Sequence, residues 1–252
     1  MKTVSEGAAV TDTDRRLLLK TAVAGIGAAL TAVPLRAQEQ AGSVQVRGEA
    51  FAQTHQPKPL PFSSSSLNGL SQRLIDSHWA NNYGGAVRAL NETKRRLADA
   101  LVDRDLPPYI YNDLKREHLM RTGSVVLHEL YFDNLGGNGR ADAAAQRLLG
   151  SAFGEFGRWE AEFWRIANGL GGGSGWVILG YNSQFGTLEN YWMADHMHNP
   201  AATVPLLVMD MYEHSYHLDF GSAAGQYVDA FFNNINWEQV LARMEALRLS
   251  AA

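Results

Sequence analysis

The chain has 252 residues, of which 46% are hydrophobic and 10% aromatic, with a formal charge of −4. That supplies ample material for a core and is too apolar for a disordered chain, while the mild charge and the lack of a Lys/Arg run leave no footprint for a nucleic-acid partner. Cysteine is absent, which excludes disulfides and thiolate ligands and leaves any metal site to His, Asp and Glu.

At the N-terminus, paired arginines in DRRLLLK (Asp14 to Lys20) precede TAVAGIGAALTAV, a weakly apolar stretch short for a bilayer span, and then PLRAQEQA. The pattern resembles a twin-arginine export signal over residues 1–37, cut near Ala37, and predicts a periplasmic or secreted product with no membrane attachment after export. A short membrane anchor or a plain tail is the alternative. Residues 38–65, rich in Gln, Pro and Ser and ending KPLPFSSSS, read as an extended arm. From about Leu67 to Leu101, Leu70, Leu74, His78, Asn82 and Ala86 recur every four residues, which predicts a helix with an imidazole and an amide on its inner stripe. A second helix is predicted from Tyr109 to Leu135, where LGGNG stops it, with Val125, His128, Phe132 and Leu135 on one face. One histidine on each buried stripe predicts a hairpin domain, residues 66–140, presenting both imidazoles inward.

Residues 141–252 change character. Short helices are predicted at ADAAAQRLLGSAFG and GRWEAEFWRIANGL, adjacent strands at GWVILGYNS and TLENYWMAD, and a buried third strand at VPLLVMD. A final helical stretch covers QYVDAFFNNINWEQVLARMEAL. The fold class is α+β: a long-helix hairpin followed by an α/β domain with a small antiparallel sheet.

The third strand runs into VMDMYEHSYHLDF, which sets Asp210, Glu213, His214, His217 and Asp219 after an apolar run. Buried charge is costly unless paired or bound to a metal. Asp210 and His214, separated by three residues where a strand gives way to a turn or helix, can converge on one point, and His78 and His128 from the hairpin complete three nitrogens and one oxygen. Such a set suits iron or manganese and leaves zinc physically possible. On spacing alone each histidine has two readings, as a ligand or as a hydrogen-bonded core residue.

The segment DMYEHSYHLDF is similar to the D-x-W-E-H-A-Y-Y signature of the iron/manganese superoxide dismutase family. LHELYF matches that family's second-helix segment, FGRWEAEFWRIANGLGGGSGWVIL its glycine-rich approach to the sheet, and NNINWEQV its closing helix. The resemblance spans about Leu60 to Trp237. It implies a superoxide dismutase with one Fe or Mn ion per subunit on His78, His128, Asp210 and His214, with superoxide as its small anionic substrate, assembled as a homodimer or a dimer of dimers. It further implies that Glu213 reaches across the dimer interface to the partner's ligand histidine, that His196 hydrogen-bonds solvent at the metal, and that Trp176, Tyr212 and Phe132 wall the pocket.

The chain also departs from the family pattern. Asn82 replaces a histidine beside the first ligand and Ala86 a gateway tyrosine, so Tyr83, water or nothing takes over that tyrosine's part in proton relay. His217 replaces a tyrosine and forms with Asn82 an exchanged pair. Ala224 stands where an arginine lines the anion funnel, and Ser124 where an iron-type glutamine can sit. These departures keep a low-activity or repurposed metal-binding member of the same fold as an alternative. A metal hydrolase or oxygenase has no H-E-x-x-H or nucleophile elbow to support it.

Overall fold

A computed structural model of the chain describes residues 48–251. The export-signal reading of residues 1–37 and the first part of the arm, residues 38–47, lie outside the described residues. Residues 48–70 carry no regular helix or strand.

Ser71 opens the helical part: its side chain accepts from Leu74 N–H and caps helix α1 (Gln72–Ser77). The helix does not run on evenly, as the four-residue recurrence predicts. A π segment (His78–Tyr83) intervenes before α2 (Gly84–Val102). A π turn inserts one residue and shifts everything beyond it around the axis. Consequently Tyr83, five residues after His78, is buried, and Asn82 is only half-buried. Pro107 and Pro108 then start α3 (Pro108–Asp133), where the missing N–H of proline costs nothing. Helices α2 and α3 pack as the predicted hairpin.

Helices α4 (Ala143–Phe153), capped by Asp142, and α5 (Phe156–Gly169) lead into the sheet. Strands β1 (Trp176–Asn182), β2 (Thr187–Met193) and β3 (Thr203–Asp210) form an antiparallel sheet in the order β2-β1-β3. The register sets Trp176 opposite both Met193 and Asp210. β1 is buried along most of its length and reads as a continuous apolar run, as a central strand should. Beyond β3 come a 3-10 turn (Glu213–Ser215), α6 (His217–Phe220), α7 (Ala224–Asn233) and α8 (Trp237–Ala246). The predicted final helical stretch is thus two helices, broken at 234–236.

One apolar core joins both halves of the described chain: Leu74, Ile75 and Leu135 from the helical part meet Val177, Leu207, Phe231 and Val240 from the sheet part. Among the described residues, no helix is long and apolar enough to cross a membrane.

Candidate metal centre

Each ligand candidate is delivered by a different local device. The π segment begins at His78 and turns it into the hairpin. His128 lies on the buried face of α3, where its Nδ1 is 2.7 Å from the Ser124 carbonyl oxygen one turn back. A carbonyl only accepts, so Nδ1 carries the proton and the neutral ring keeps its lone pair on Nε2. Asp210 closes β3, and its Oδ1 accepts the Tyr212 N–H at 2.8 Å, which leaves Oδ2 to face the imidazoles. His214 follows in the 3-10 turn, which Ser215 Oγ braces through the Tyr212 carbonyl at 2.7 Å.

Around Asp210 Oδ2 stand His78 Nε2 and His214 Nε2, each at 3.2 Å, and His128 Nε2 at 3.6 Å. One ligand atom from each of the four residues lies within 4.8 Å of the others. His78, His128 and Asp210 are buried, and the Nε2 atoms of His78 and His128 have no hydrogen-bond partner of acceptable geometry. Two orphaned, buried imidazole nitrogens pointing at one carboxylate oxygen are expensive as they stand, and a cation among them removes the cost. The donor set of three imidazoles and one carboxylate fits iron or manganese.

The electrostatics agree with that fit. Burial alone raises the Asp210 carboxyl, but His214, and after it His78, close beside it outweigh burial and hold it well below the usual carboxylate range. Burial, reinforced by His78, pushes the His128 imidazole down to about 3. Burial also lowers His78, partly offset by Asp210. At neutral pH the site therefore presents one anion and unprotonated His78 and His128, the forms that bind a cation.

Residues 141–243 match the family described as iron/manganese superoxide dismutases, C-terminal domain. An iron superoxide dismutase of Cupriavidus metallidurans is 47% identical over 192 residues, covering 76% of this chain and 97% of the relative. The chain belongs to the iron/manganese superoxide dismutase family. It is also similar to an iron superoxide dismutase of Aquifex aeolicus, 35% identical over 75% of this chain and 91% of that one. A manganese superoxide dismutase of Mycolicibacterium smegmatis is 30% identical over 70% of this chain and 86% of the relative.

Several other predicted residues of this superoxide dismutase family member crowd the four ligands. Trp176 lies edge-on to His128 with ring centroids 5.2 Å apart, and Phe132 lies 5.1 Å from His78. Tyr212 stacks at 5.3 Å on His214 and at 4.7 Å on His196. His196 sits 5.9 Å from His128, its Nδ1 accepting from Trp176 Nε1 at 3.0 Å, and burial lowers its proton affinity. Tyr83 stacks on His128 at 6.3 Å, with its hydroxyl turned to Lys58 and Glu129.

Glu213 and His217 are exposed, and within one chain no hydrogen bond joins His217 to Asn82. Ala86 is buried in the core, and Ala224 packs close to Gly171. Asp219, the last acid of the segment, takes no part in the centre. Its carboxylate accepts the Ser71 N–H at 2.6 Å and the Ser71 hydroxyl at 2.7 Å, tying the start of α1 to α6.

Two residues behind the ligands escaped the sequence reading. Tyr131 lies 5.2 Å from the His78 ring, and its hydroxyl is 3.2 Å from that of Tyr227, which donates to the Asp210 carbonyl at 2.7 Å. Tyr131 carried a local signal, one turn after His128 on the same face. Tyr227, on α7, carried none.

Proposed function

We propose that the chain is a superoxide dismutase, converting superoxide to oxygen and hydrogen peroxide at one iron or manganese ion held by His78, His128, Asp210 and His214. The observation that carries this is the convergence of three imidazole nitrogens within 3.6 Å of a single buried carboxylate oxygen, in a chain of that family. When bound on these four residues, the ion would supply the one-electron redox chemistry that superoxide dismutation requires.

The chain's own residues set the conditions for that exchange. Asp210, anionic throughout the neutral range, favours the more positive state of the ion over what neutral ligands alone would give. Because Trp176 donates to His196 Nδ1, the neutral His196 ring holds its proton on Nε2 and offers it as a hydrogen-bond donor beside the ligands. Trp176, Tyr212 and Phe132 leave little room around the centre, so a small anion is favoured over larger reductants. Tyr83 stands in the pocket wall in place of the phenol lost at Ala86.

Iron is the favoured metal, since the Cupriavidus and Aquifex relatives carry iron in their names. We read the protein as a homodimer or a dimer of such dimers, with Glu213 reaching the partner's ligand histidine and His217 facing the partner's Asn82. The exposure of Glu213, His217 and Leu218 on one chain supports that reading. Residues 1–37 act as a twin-arginine signal that sends a folded, metal-loaded product to the periplasm or beyond, leading through the arm at 38–65 to a hairpin domain (66–140) and an α/β domain (141–252).

The test is to quantify iron and manganese in protein isolated from its native host and to measure superoxide decay per bound ion. Fast decay proportional to metal content is expected. Full metal occupancy with negligible decay would instead favour a repurposed metal-binding member, a reading motivated by Ala86, Asn82 and Ala224.

A further inference from the structure

The arm ahead of α1 is held by side chains instead of by strand pairing. Pro57, Pro59 and Pro61 deny it backbone donors and favour an extended polyproline conformation. Several of the remaining backbone groups are met by side chains of the helices. The Gln53 carbonyl accepts Lys94 Nζ at 2.9 Å, and His55 exchanges two hydrogen bonds with the Asn91 amide, at 2.8 and 2.9 Å. At Lys58 the carbonyl accepts Trp79 Nε1 at 2.9 Å, and the N–H donates to the Tyr83 hydroxyl at 2.8 Å. A proline-flanked residue recognised by an indole N–H and a phenol is the chemistry by which polyproline peptides dock in aromatic grooves, here within one chain.

The Tyr83 hydroxyl is also engaged on its donor side. It donates to Glu129 Oε1 at 3.0 Å, and Glu129 Oε2 pairs with Lys58 Nζ at 2.5 Å. Lys58 therefore grips the phenol twice, directly through its N–H and indirectly through Glu129. The other end of Tyr83 is the ring that stacks on His128, at 6.3 Å and 30°, and meets Phe132 edge-on at 6.1 Å. Tyr83 is 1% exposed, so its ring has no solvent space to move into.

We propose that Lys58 is a positioning residue for the metal centre: the arm clamps the outer end of Tyr83 and so holds the Tyr83 ring against the ligand His128. The orientation of a ligating imidazole is set by what surrounds it, and that orientation tunes the bound ion. The proposal rests on the reading of His128 as an iron or manganese ligand.

The test uses the full chain loaded with ferric iron, in wild type, Lys58→Pro, Lys58→Ala, Tyr83→Phe and the Lys58→Pro/Tyr83→Phe double variant. Lys58→Pro keeps the extended backbone and removes both the N–H and the ammonium, and Lys58→Ala removes only the ammonium. The readouts are the electron paramagnetic resonance line shape of the ferric ion and the rate of iron release to a chelator, with thermal melts alongside. Lys58→Pro and Tyr83→Phe are expected to shift the line shape in the same sense and to speed iron release by about three- to tenfold. The double variant should go no further than the larger single effect, because both remove the same clamp. Lys58→Ala should show a smaller change of the same sense, which keeps the test open should Lys58→Pro not fold. Unchanged line shape and release in both Lys58 variants, or effects that simply add in the double variant, would overturn the proposal. A wild-type chain that retains neither iron nor manganese would bring down the dismutase reading itself.

Discussion

Gly123 lies directly under the backbone of His196: a β-carbon at position 123 would stand 1.9 Å from the His196 carbonyl oxygen. Helix α3 and the loop after β2 meet at that point, so the missing side chain fixes where the His196 ring rests against Tyr212 and Trp176. Gly123→Ala is expected to push the loop away and to cost about 1–3 kcal/mol, the usual range for overpacking. Urea unfolding gives the stability, and Trp176 emission reports the loosened bond to His196. Stability within about 0.5 kcal/mol of wild type, the range of a neutral surface change, would contradict the contact.

His128→Ala opens a gap in the ligand set and removes the partner on which Tyr83 and Trp176 pack. Metal content and superoxide turnover should fall together to background, measured by elemental analysis and by superoxide decay in the same preparation. Retention of full metal without turnover would show that His128 is no ligand.

The metal-free protein should lose stability as pH falls below neutral. His78 and His128 both have folded values below the ordinary imidazole value, that of His128 at about 3. From about pH 6.5 downward the unfolded chain takes up protons that the folded chain refuses, and each such group removes about 1.4 kcal/mol per pH unit. Asp210, held low in the fold, adds to the loss only below about pH 4, where the unfolded carboxylate protonates. Urea midpoints of metal-free protein between pH 7 and 4 should therefore decline steadily, and a flat profile would refute the burial of two neutral imidazoles.

Asp219→Ala is expected to act on the fold alone. It leaves the Ser71 N–H and hydroxyl without their acceptor, at a cost of about 1 kcal/mol, typical of a lost hydrogen bond. Metal content and turnover should match wild type. A drop in either would mean that the link from α6 to α1 also shapes the centre.

How far the sequence could be read depended on how local each signal was. The hairpin and the three strands were legible because periodicity acts over a few residues, whereas spacing left each histidine two readings and the four ligands were singled out by the family resemblance. The π segment was not legible, since Leu70, Leu74, His78, Asn82 and Ala86 keep their four-residue beat straight through it, and a single inserted residue leaves the pattern intact while moving Tyr83 inward. Lys58 and Tyr227 were illegible for another reason. Each acts on a residue far along the chain, Lys58 on Tyr83 and Tyr227 on Asp210, and only the folded arrangement brings those partners together.

The ligands come in two pairs, His78 and His128 from the helices and Asp210 and His214 from the end of the sheet. A chain in which only one half has formed offers an ion two donors and no enclosure. Capture of the ion therefore belongs to the last stage of maturation, and occupancy of the centre certifies that the two halves of this catalyst have closed on each other.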